Sequence, residues 1–250
     1  MSIARVLVIA GSDSGGGAGI QADIKTITML GGHAMTAITA ITAQNTLGVQ
    51  GVHPVPVDMV LAQIESVVSD IGVDAVKIGM IGSAETAHAV ADYLSSLEDE
   101  PPIIFDPVMI ATSGSALADS GTVAAFEKLM RIATLVTPNI PELEALGGDR
   151  LVASHGCAVL AKGGHSASDV LVDRLFDANG EIARWEDQRI GTRHTHGTGC
   201  TLASAIATGL GQGMALVDAV ARARQYVRAA LVAAPGLGGG HGPVGVPRHA

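Results

Sequence analysis

Six short apolar runs alternate with amphipathic segments along the first two thirds of the chain. The runs have few polar interruptions, which is typical of strands buried on both faces. Strands that alternate with helices predict a mostly parallel sheet with right-handed crossovers. The predicted strands are residues 5–10, 34–42, 74–80, 103–108, 134–137 and 158–162. The predicted helices between them are residues 20–30, 58–71, 84–97, 122–132 and 141–146.

The pattern changes in the last third of the chain. Residues 170–176 and 182–185 flank Asn179-Gly180, a strong hairpin signal, so we predict an antiparallel hairpin at the edge of the sheet. Two helices, at 199–210 and 216–232, are predicted to follow. From about residue 235 the chain is rich in Gly and Pro, and we expect a loop or a frayed terminus. Without a repeat or a linker, residues 1–250 are predicted to form a single α/β domain.

The composition argues against several classes of function. Aromatic residues make up only 2% of the chain, the formal net charge is −9, and no cluster of Lys and Arg is present, so we expect no binding to nucleic acid. Gly, Ser, Thr or charged residues break every apolar run well short of the ~20 residues that span a membrane, so no membrane contact is expected. Two distant cysteines and the absence of a cleavable signal region predict a cytoplasmic protein.

Residues 196–201, with the sequence HGTGCT, carry the strongest chemical signal. Their two glycines let the backbone approach a ligand, and the helix that follows offers unpaired N–H groups to an anion. Gly197, Thr198, Gly199 and Cys200 thus place backbone donors, a hydroxyl and a thiol around one point, as a transferring phosphoryl group requires. The alternative is a glycine turn before a core helix, with Cys200 as a small buried hydrophobe.

Loops with Gly or polar residues follow each predicted parallel strand, at the edge of the sheet where ligands are expected. The first is rich in Gly but fits neither the dinucleotide fingerprint nor the Walker A pattern. Each loop could also be an ordinary turn. The loops are residues 11–19, 43–46, 79–80, 106–109, 137–142 and 162–165.

Seven motifs from these loops, taken together, closely resemble the hydroxymethylpyrimidine/phosphomethylpyrimidine kinases of thiamine biosynthesis, which belong to the ribokinase-like superfamily. The motifs are AGSDSGGGAGIQAD, TAQNT, KIGM, DPVM, TPNIPE, KGGH and HGTGCT, in this order over nearly the whole chain. The resemblance implies a ribokinase-like three-layer α/β/α sandwich that uses ATP and Mg²⁺. It also implies phosphorylation of 4-amino-5-hydroxymethyl-2-methylpyrimidine and then of its monophosphate. Such relatives are commonly dimers, so we expect a homodimer.

The resemblance assigns catalytic roles to the HGTGCT motif. The amides of Gly197, Thr198, Gly199 and Cys200 would form an anion hole for the transferring phosphoryl group. Cys200 occupies the place where most superfamily members carry an Asp as catalytic base. It would then accept the proton of the substrate hydroxyl, with its thiolate favoured by the helix N-terminus.

The nucleotide and metal side rests on Asn139-x-x-Glu142, which resembles the superfamily's metal and phosphate motif. Glu142 is predicted to hold Mg²⁺ through water, with Asp106 as the second candidate. Glu142 is equally well placed to complement the dipole of its own helix. Lys162 would contact nucleotide phosphates or merely end a strand, and Asn139 and Thr195 are further candidates for nucleotide binding.

On the substrate side, Gln44 is the first candidate. Its carboxamide presents an acceptor beside a donor, complementary to the ring nitrogen and exocyclic amine of a 4-aminopyrimidine. Asp23 and Gly11 would hold the hydroxymethyl side, while Met80 and Val108 would provide apolar walls. For the methionine, filling an aromatic-poor core is the competing explanation.

Two departures from the family pattern are visible. The segment 147–158 is short where relatives usually carry enough residues for another helix, and Thr112 stands where relatives often have Lys. His194 and His196 lack a full set of zinc ligands with their neighbours and are expected to be solvent-facing or loop residues. The alternative functions are a pyridoxal or pyridoxine kinase of the same superfamily and a non-catalytic pyrimidine-binding sensor. A sensor is expected to lack Cys200 or Glu142, and both are present.

Overall fold

A nine-stranded sheet forms the centre of the computed structural model, which describes residues 3–110, 114, 117–148, 150–165 and 168–247. The strands are β1 (Arg5–Asp13), β2 (His33–Asn45), β3 (Gly48–Pro54), β4 (Ala75–Ile78), β5 (Ile103–Phe105), β6 (Leu135–Val136), β7 (Ala158–Ala161), β8 (Val170–Asp177) and β9 (Gly180–Gln188). Their order across the sheet is β3-β2-β1-β4-β5-β6-β7-β8-β9. The six strands from β2 to β7 in this order pair in parallel, as the sequence predicted.

Helices cover both faces of the sheet. They are α1 (Gly19–Met29), α2 (Val57–Asp70), α3 (Ala84–Ser95), α4 (Ser120–Ile132), α5 (Ile140–Ala145), α6 (Arg150–His155), α7 (Thr198–Gly211) and α8 (Leu216–Val232). Because side chains alternate along a strand, Leu7 and Ile9 of β1 join the core beneath α2, α3 and α4, whereas Val6 and Val8 join the core beneath α1, α7 and α8. The predicted three-layer α/β/α sandwich is confirmed.

Antiparallel strands close the sheet on both sides. The hairpin of β8 and β9 is the one that Asn179-Gly180 predicted, and β8 pairs with β7. The second edge strand, β3, pairs antiparallel with β2 and was not predicted from the sequence. Its residues are mostly exposed and include two Gly and a terminal Pro, so no buried alternation marks it as a strand.

The short segment 147–158 contains the six-residue helix α6, so its shortness does not remove helical structure there. Thr112 lies outside the described residues. The Gly- and Pro-rich C-terminal segment is a loop up to residue 247, and it is tied to the body of the protein. Pro243 forms an isolated bridge with His196, and the Gly240 amide donates to Thr46 Oγ1 at 3.3 Å. Within the described ranges, no helix combines the length and apolarity needed to cross a bilayer.

Candidate active site

The N-terminus of α7 lies at the carboxyl end of the parallel strands, where the loops converge. Gly197 caps the helix with a φ of +89°, and a Cβ on this residue would collide with the carbonyl oxygen of Gly17. Only glycine meets both conditions. The amides of Gly199 and Cys200 have no acceptor within the described part of the chain, and both residues are partly exposed. The start of α7 therefore has the free donors that an anion requires.

A buried ion pair lies near this helix start. Lys77 is fully buried and donates from Nζ to Asp23 Oδ2 at 2.9 Å, while Ser204 Oγ donates to Asp23 Oδ1 at 2.7 Å. Burial by itself lowers the pKa of Lys77, but the surrounding acidic groups, led by the adjacent Asp23 carboxylate and including Asp106, together outweigh burial and raise it, so Lys77 is an ammonium ion. Both oxygens of Asp23 are engaged inside the protein. The structure thus places Asp23 in the core, away from an open substrate surface.

A second ion pair faces the helix start itself. Lys162 Nζ and Thr137 Oγ1 each donate to Asp106 Oδ1 at 2.9 Å. Burial opposes ionisation of Asp106, but Lys162 and Lys77 outweigh burial and hold its pKa below the usual value. A Cβ built on Gly199 would lie 3.2 Å from Asp106 Oδ2 and 3.7 Å from Lys162 Nζ. The predicted anion hole, Asp106 and Lys162 therefore adjoin.

Glu142 is a further acidic side chain near the start of α7, and it interacts electrostatically with both Lys162 and Asp106. It forms a capping box with Asn139, whose side-chain Oδ1 accepts from the Glu142 amide at 2.9 Å and whose own amide donates to Glu142 Oε2 at 2.8 Å. Glu142 therefore does stabilise the N-terminus of its own helix, α5, which is the alternative role that the sequence suggested. Burial, opposed by Lys162 and reinforced by Asp106, raises the pKa of Glu142 to about 7. Such a carboxyl ionises fully when a cation comes near.

The side chains near Glu142 fit a magnesium ion whose ligands are mainly water molecules and substrate phosphates. No group of three His, Cys, Asp or Glu side chains suitable for a metal occurs in the described ranges. Mg²⁺ keeps several waters and binds through one or two carboxylates plus substrate phosphates. Asp106 and Glu142 supply two carboxylates beside Lys162, which matches that preference.

Cys200 differs from its predicted ionisation state. Burial, reinforced by Asp23 and Asp106, outweighs the nearby Lys77 and the Gly19 amide and raises the pKa of the Cys200 thiol to about 11. The prediction that Cys200 is a thiolate is wrong for this structure, because desolvation and the carboxylates of Asp23 and Asp106 outweigh the favourable interactions of the sulfur with Lys77 and the Gly19 amide. Cys200 is a neutral thiol near pH 7.

Asp13, His196 and Gln44 form a cluster next to the start of α7. His196 Nε2 is 2.9 Å from Asp13 Oδ2 and 3.2 Å from Gln44 Nε2. A Cβ on Gly17 would lie 2.5 Å from the His196 ring, so this ring is packed directly against the Gly-rich loop after β1. His196 is in a loop, as expected, but is buried and not solvent-facing.

The predicted apolar wall is partly assembled. A Cβ on Gly11 would lie 3.1 Å from Met80 Sδ, and Thr39 Oγ1 fixes the Met80 carbonyl with a 2.6 Å hydrogen bond. Val108 is half-buried two residues after Asp106. Thr195 accepts a 3.1 Å hydrogen bond from the hydroxyl of Thr198, so the structure shows a role in the turn before α7. Its contact with nucleotide stays a prediction.

Sequence reasoning missed Asp13, Lys77 and the role of His196. A lone lysine inside the apolar strand around residue 77 is a signal for a buried partner. An acidic residue before a run of glycines is a signal for amide binding, because a carboxylate accepts several backbone donors in such a loop. No local signal joins His196 to Asp13, which is 183 positions away.

Comparison with known proteins gives a consistent result. A family model described as phosphomethylpyrimidine kinase matches residues 13–245. The thiamine biosynthesis bifunctional protein ThiED of Geobacter sulfurreducens is 49% identical over 96% of this chain, which spans about half (51%) of that protein. The hydroxymethylpyrimidine/phosphomethylpyrimidine kinase of Streptomyces coelicolor is 48% identical, with 96% of this chain and 93% of that protein covered.

Two solved structures are also similar. The phosphomethylpyrimidine kinase of Clostridium difficile has a TM-score of 0.77 and 37% identity, with 90% of this chain and 98% of that chain covered. The pyridoxal kinase of Bacillus subtilis, solved as an ADP complex, has a TM-score of 0.88 and 31% identity, with 98% of each chain covered. The backbone is therefore shared by a phosphomethylpyrimidine kinase and a pyridoxal kinase.

Proposed function

Because the chain belongs to the phosphomethylpyrimidine kinase family, we propose that it transfers phosphate from ATP to 4-amino-5-hydroxymethyl-2-methylpyrimidine and then to the monophosphate. The observation that supports this most directly is the position of the α7 N-terminus. Its free amides at Gly199 and Cys200 lie beside Asp106 and Lys162 and next to the cluster that contains Gln44. Donors for a phosphoryl group and a carboxamide for an aminopyrimidine are thus brought together.

Phosphoryl transfer depends mainly on positioning and on neutralising charge. The amides at the start of α7 and the Lys162 ammonium would stabilise charge on the transferring group. Asp106 and Glu142 would hold Mg²⁺, directly or through water, and the ion would neutralise charge on the nucleotide phosphates. Asn139 orients Glu142 through the capping box and would thereby act on the nucleotide side.

Cys200 is proposed as the acceptor of the substrate hydroxyl proton. Since its pKa is about 11, forming the thiolate at pH 7 costs about 5 kcal/mol. Only the thiolate can take up this proton, so Cys200 first gives its own proton to water. With a loose transition state the hydroxyl proton leaves late, and the thiolate is needed only at that stage. A cation bound at Asp106 would neutralise that carboxylate and so reduce its negative field at Cys200, which would lower that cost.

The substrate would lie between Gln44 and the start of α7. Gln44 would pair with the ring edge, Gly11 would allow close approach, and Met80 and Val108 would line the apolar side of the ring. Asp23 would act from the core of the protein, by holding Lys77 in place next to Cys200. The expected homodimer and cytoplasmic location are part of the same proposal, and sedimentation of the purified protein tests the dimer.

The second candidate is pyridoxal kinase activity, which the similarity of the whole backbone to the Bacillus subtilis enzyme favours. Gln44 favours the aminopyrimidine, because its carboxamide matches the adjacent acceptor and amine of that ring. A pyridoxal ring has no amine beside the ring nitrogen.

A coupled ADP-release assay with the hydroxymethylpyrimidine, its monophosphate and pyridoxal tests the proposal. We expect turnover of both pyrimidines and a kcat/KM for pyridoxal that is lower than for either. Cys200→Ala should lower kcat by roughly 10²–10⁴-fold with little change in KM, because a lost proton acceptor acts in the transition state. Cys157→Ala, at the other cysteine, is the control and should leave kcat unchanged. Turnover of pyridoxal alone would overturn the substrate assignment.

A further inference from the structure

The cluster of Asp13, His196 and Gln44 contains a conflict between hydrogen-bond donors. His196 Nε2 faces the carboxylate of Asp13 at 2.9 Å and the amide nitrogen of Gln44 at 3.2 Å. An imidazole nitrogen either carries a hydrogen or accepts one, so it cannot donate to Asp13 and accept from Gln44.

Asp13 decides which state His196 adopts. Its carboxylate accepts three backbone amides, at 2.8 to 3.0 Å, and so has no hydrogen to offer. Burial alone would raise the pKa of Asp13, but the hydrogen bonds from His196 and from these amides outweigh burial and lower it. His196 Nε2 must therefore carry the hydrogen. The donating amides belong to Gly15, Gly17 and Ala18.

Thr42 resolves the conflict on the other side of the carboxamide. Its hydroxyl has one hydrogen, and the nearer acceptor is the Ser12 carbonyl at 2.9 Å, against 3.2 Å to Gln44 Oε1. Once that hydrogen is given to Ser12, Thr42 Oγ1 can only accept. A 180° turn of the carboxamide exchanges its oxygen and nitrogen and removes the conflict. The Gln44 nitrogen then donates to Thr42, and its oxygen shares the single Nε2 hydrogen of His196 with Asp13 in a three-centre hydrogen bond.

We propose that His196 is a positioning residue that fixes the Gln44 carboxamide with its oxygen toward the imidazole and so determines substrate specificity. This proposal rests on the proposed function. In this orientation one lone pair of the oxygen and one N–H of the nitrogen stay available side by side. They match an amine and an adjacent ring nitrogen. The 4-oxo counterpart of the substrate offers a carbonyl and a ring N–H, the reverse order, and a fixed Gln44 rejects it.

The test compares the wild-type protein with His196→Leu and His196→Gln. The leucine removes the donor, whereas a glutamine side chain can place an N–H near the position of Nε2. The measured quantity is kcat/KM for the 4-amino substrate divided by kcat/KM for its 4-oxo counterpart. We expect this preference to fall roughly ten- to a hundredfold in the leucine variant, mainly through KM, and to be largely kept in the glutamine variant. Thermal unfolding of both variants controls for folding.

An unchanged preference in His196→Leu would overturn the proposal, and so would an equal loss of both activities, which indicates a structural role alone. A wild-type protein that phosphorylates neither pyrimidine contradicts the proposed function instead. Nitrogen NMR of histidine-labelled protein without ligand then tests the positioning role by itself. We expect the His196 signal, assigned by its absence in His196→Gln, to show a proton on Nε2. A neutral ring with its proton on Nδ1 would refute the orientation.

Discussion

The titration of Glu142 makes the free energy of unfolding depend on pH, and the substitution Glu142→Gln should remove this dependence. Burial, opposed by Lys162 and reinforced by Asp106, raises the pKa of Glu142 from 4.5 to about 7. A carboxyl with a higher pKa in the folded state stabilises the fold below about pH 4.5, and this contribution is lost as the pH rises through about 7. At about 1.4 kcal/mol per pH unit, the loss between about pH 5 and about pH 8.5 is about 2.5 kcal/mol.

Glu142→Gln removes the titration and leaves the helix cap in place, because a glutamine oxygen can also accept from the Asn139 amide. The assay is urea unfolding across this pH range without nucleotide or Mg²⁺. The difference in unfolding free energy, wild type minus variant, should fall by about 2.5 kcal/mol from about pH 5 to about pH 8.5. Groups remote from Glu142 are common to both proteins and cancel in the difference. Asp106 and Lys162 interact with Glu142, but they titrate outside this range, because the pKa of Asp106 is lowered and that of Lys162 is raised.

Glu144→Gln, at an exposed position of the same helix, is the matched control, and its difference from wild type should not change with pH. If wild type and Glu142→Gln show the same pH dependence, the pKa of Glu142 is not raised. The argument that burial prepares this carboxyl for a cation would then be refuted.

Two further predictions concern the core and the helix start. Lys77→Met should lower the free energy of unfolding by about 3–5 kcal/mol, because it leaves the Asp23 carboxylate buried without its partner, and adding Asp23→Asn should recover much of the loss. Chemical unfolding of both variants measures this, and a double variant no more stable than the single one would contradict it. Gly197→Ala should destabilise the protein more than Gly213→Ala, since both have a positive φ but only a Cβ at 197 meets another backbone. Equal melting temperatures and equal kinase activities in the two variants would argue against a close contact there.

The fold class could be predicted from the sequence, because a strand that is buried on both faces has a simple, uninterrupted apolar pattern. Strands covered by helices on both sides need continuous apolar runs, and residues 6–10 and 103–105 show them without interruption. The β3 strand lacks this trace, since an edge strand with exposed residues is held by hydrogen bonds to β2 and needs no apolar pattern. Element boundaries in solvent are therefore less visible in a sequence than those in the core.

Much of the candidate site could also be predicted from the sequence, because phosphate binding uses a backbone geometry that requires glycine. The glycines at 197 and 199 were identified from the sequence. In the structure the backbone of Gly17 excludes a side chain at position 197, and a Cβ at position 199 would lie 3.2 Å from Asp106 Oδ2. The ionisation states of the site residues could not be predicted from the sequence. The prediction of a thiolate at Cys200 is wrong because burial and the carboxylates of Asp23, in α1, and Asp106, after β5, act on the sulfur. No local pattern in the sequence shows these interactions.

The chain's own order of residues determined the alternation of strands and helices, the glycine turns and the family to which the motifs belong. Tertiary structure alone decided which groups meet: Lys77 with Asp23 across 54 positions, and His196 with Asp13 across 183. The physical reason is that these two kinds of property depend on interactions of different range along the chain. Backbone conformation and burial periodicity arise from neighbours in sequence, whereas desolvation and Coulomb interactions depend on distance in space, whatever the separation along the chain.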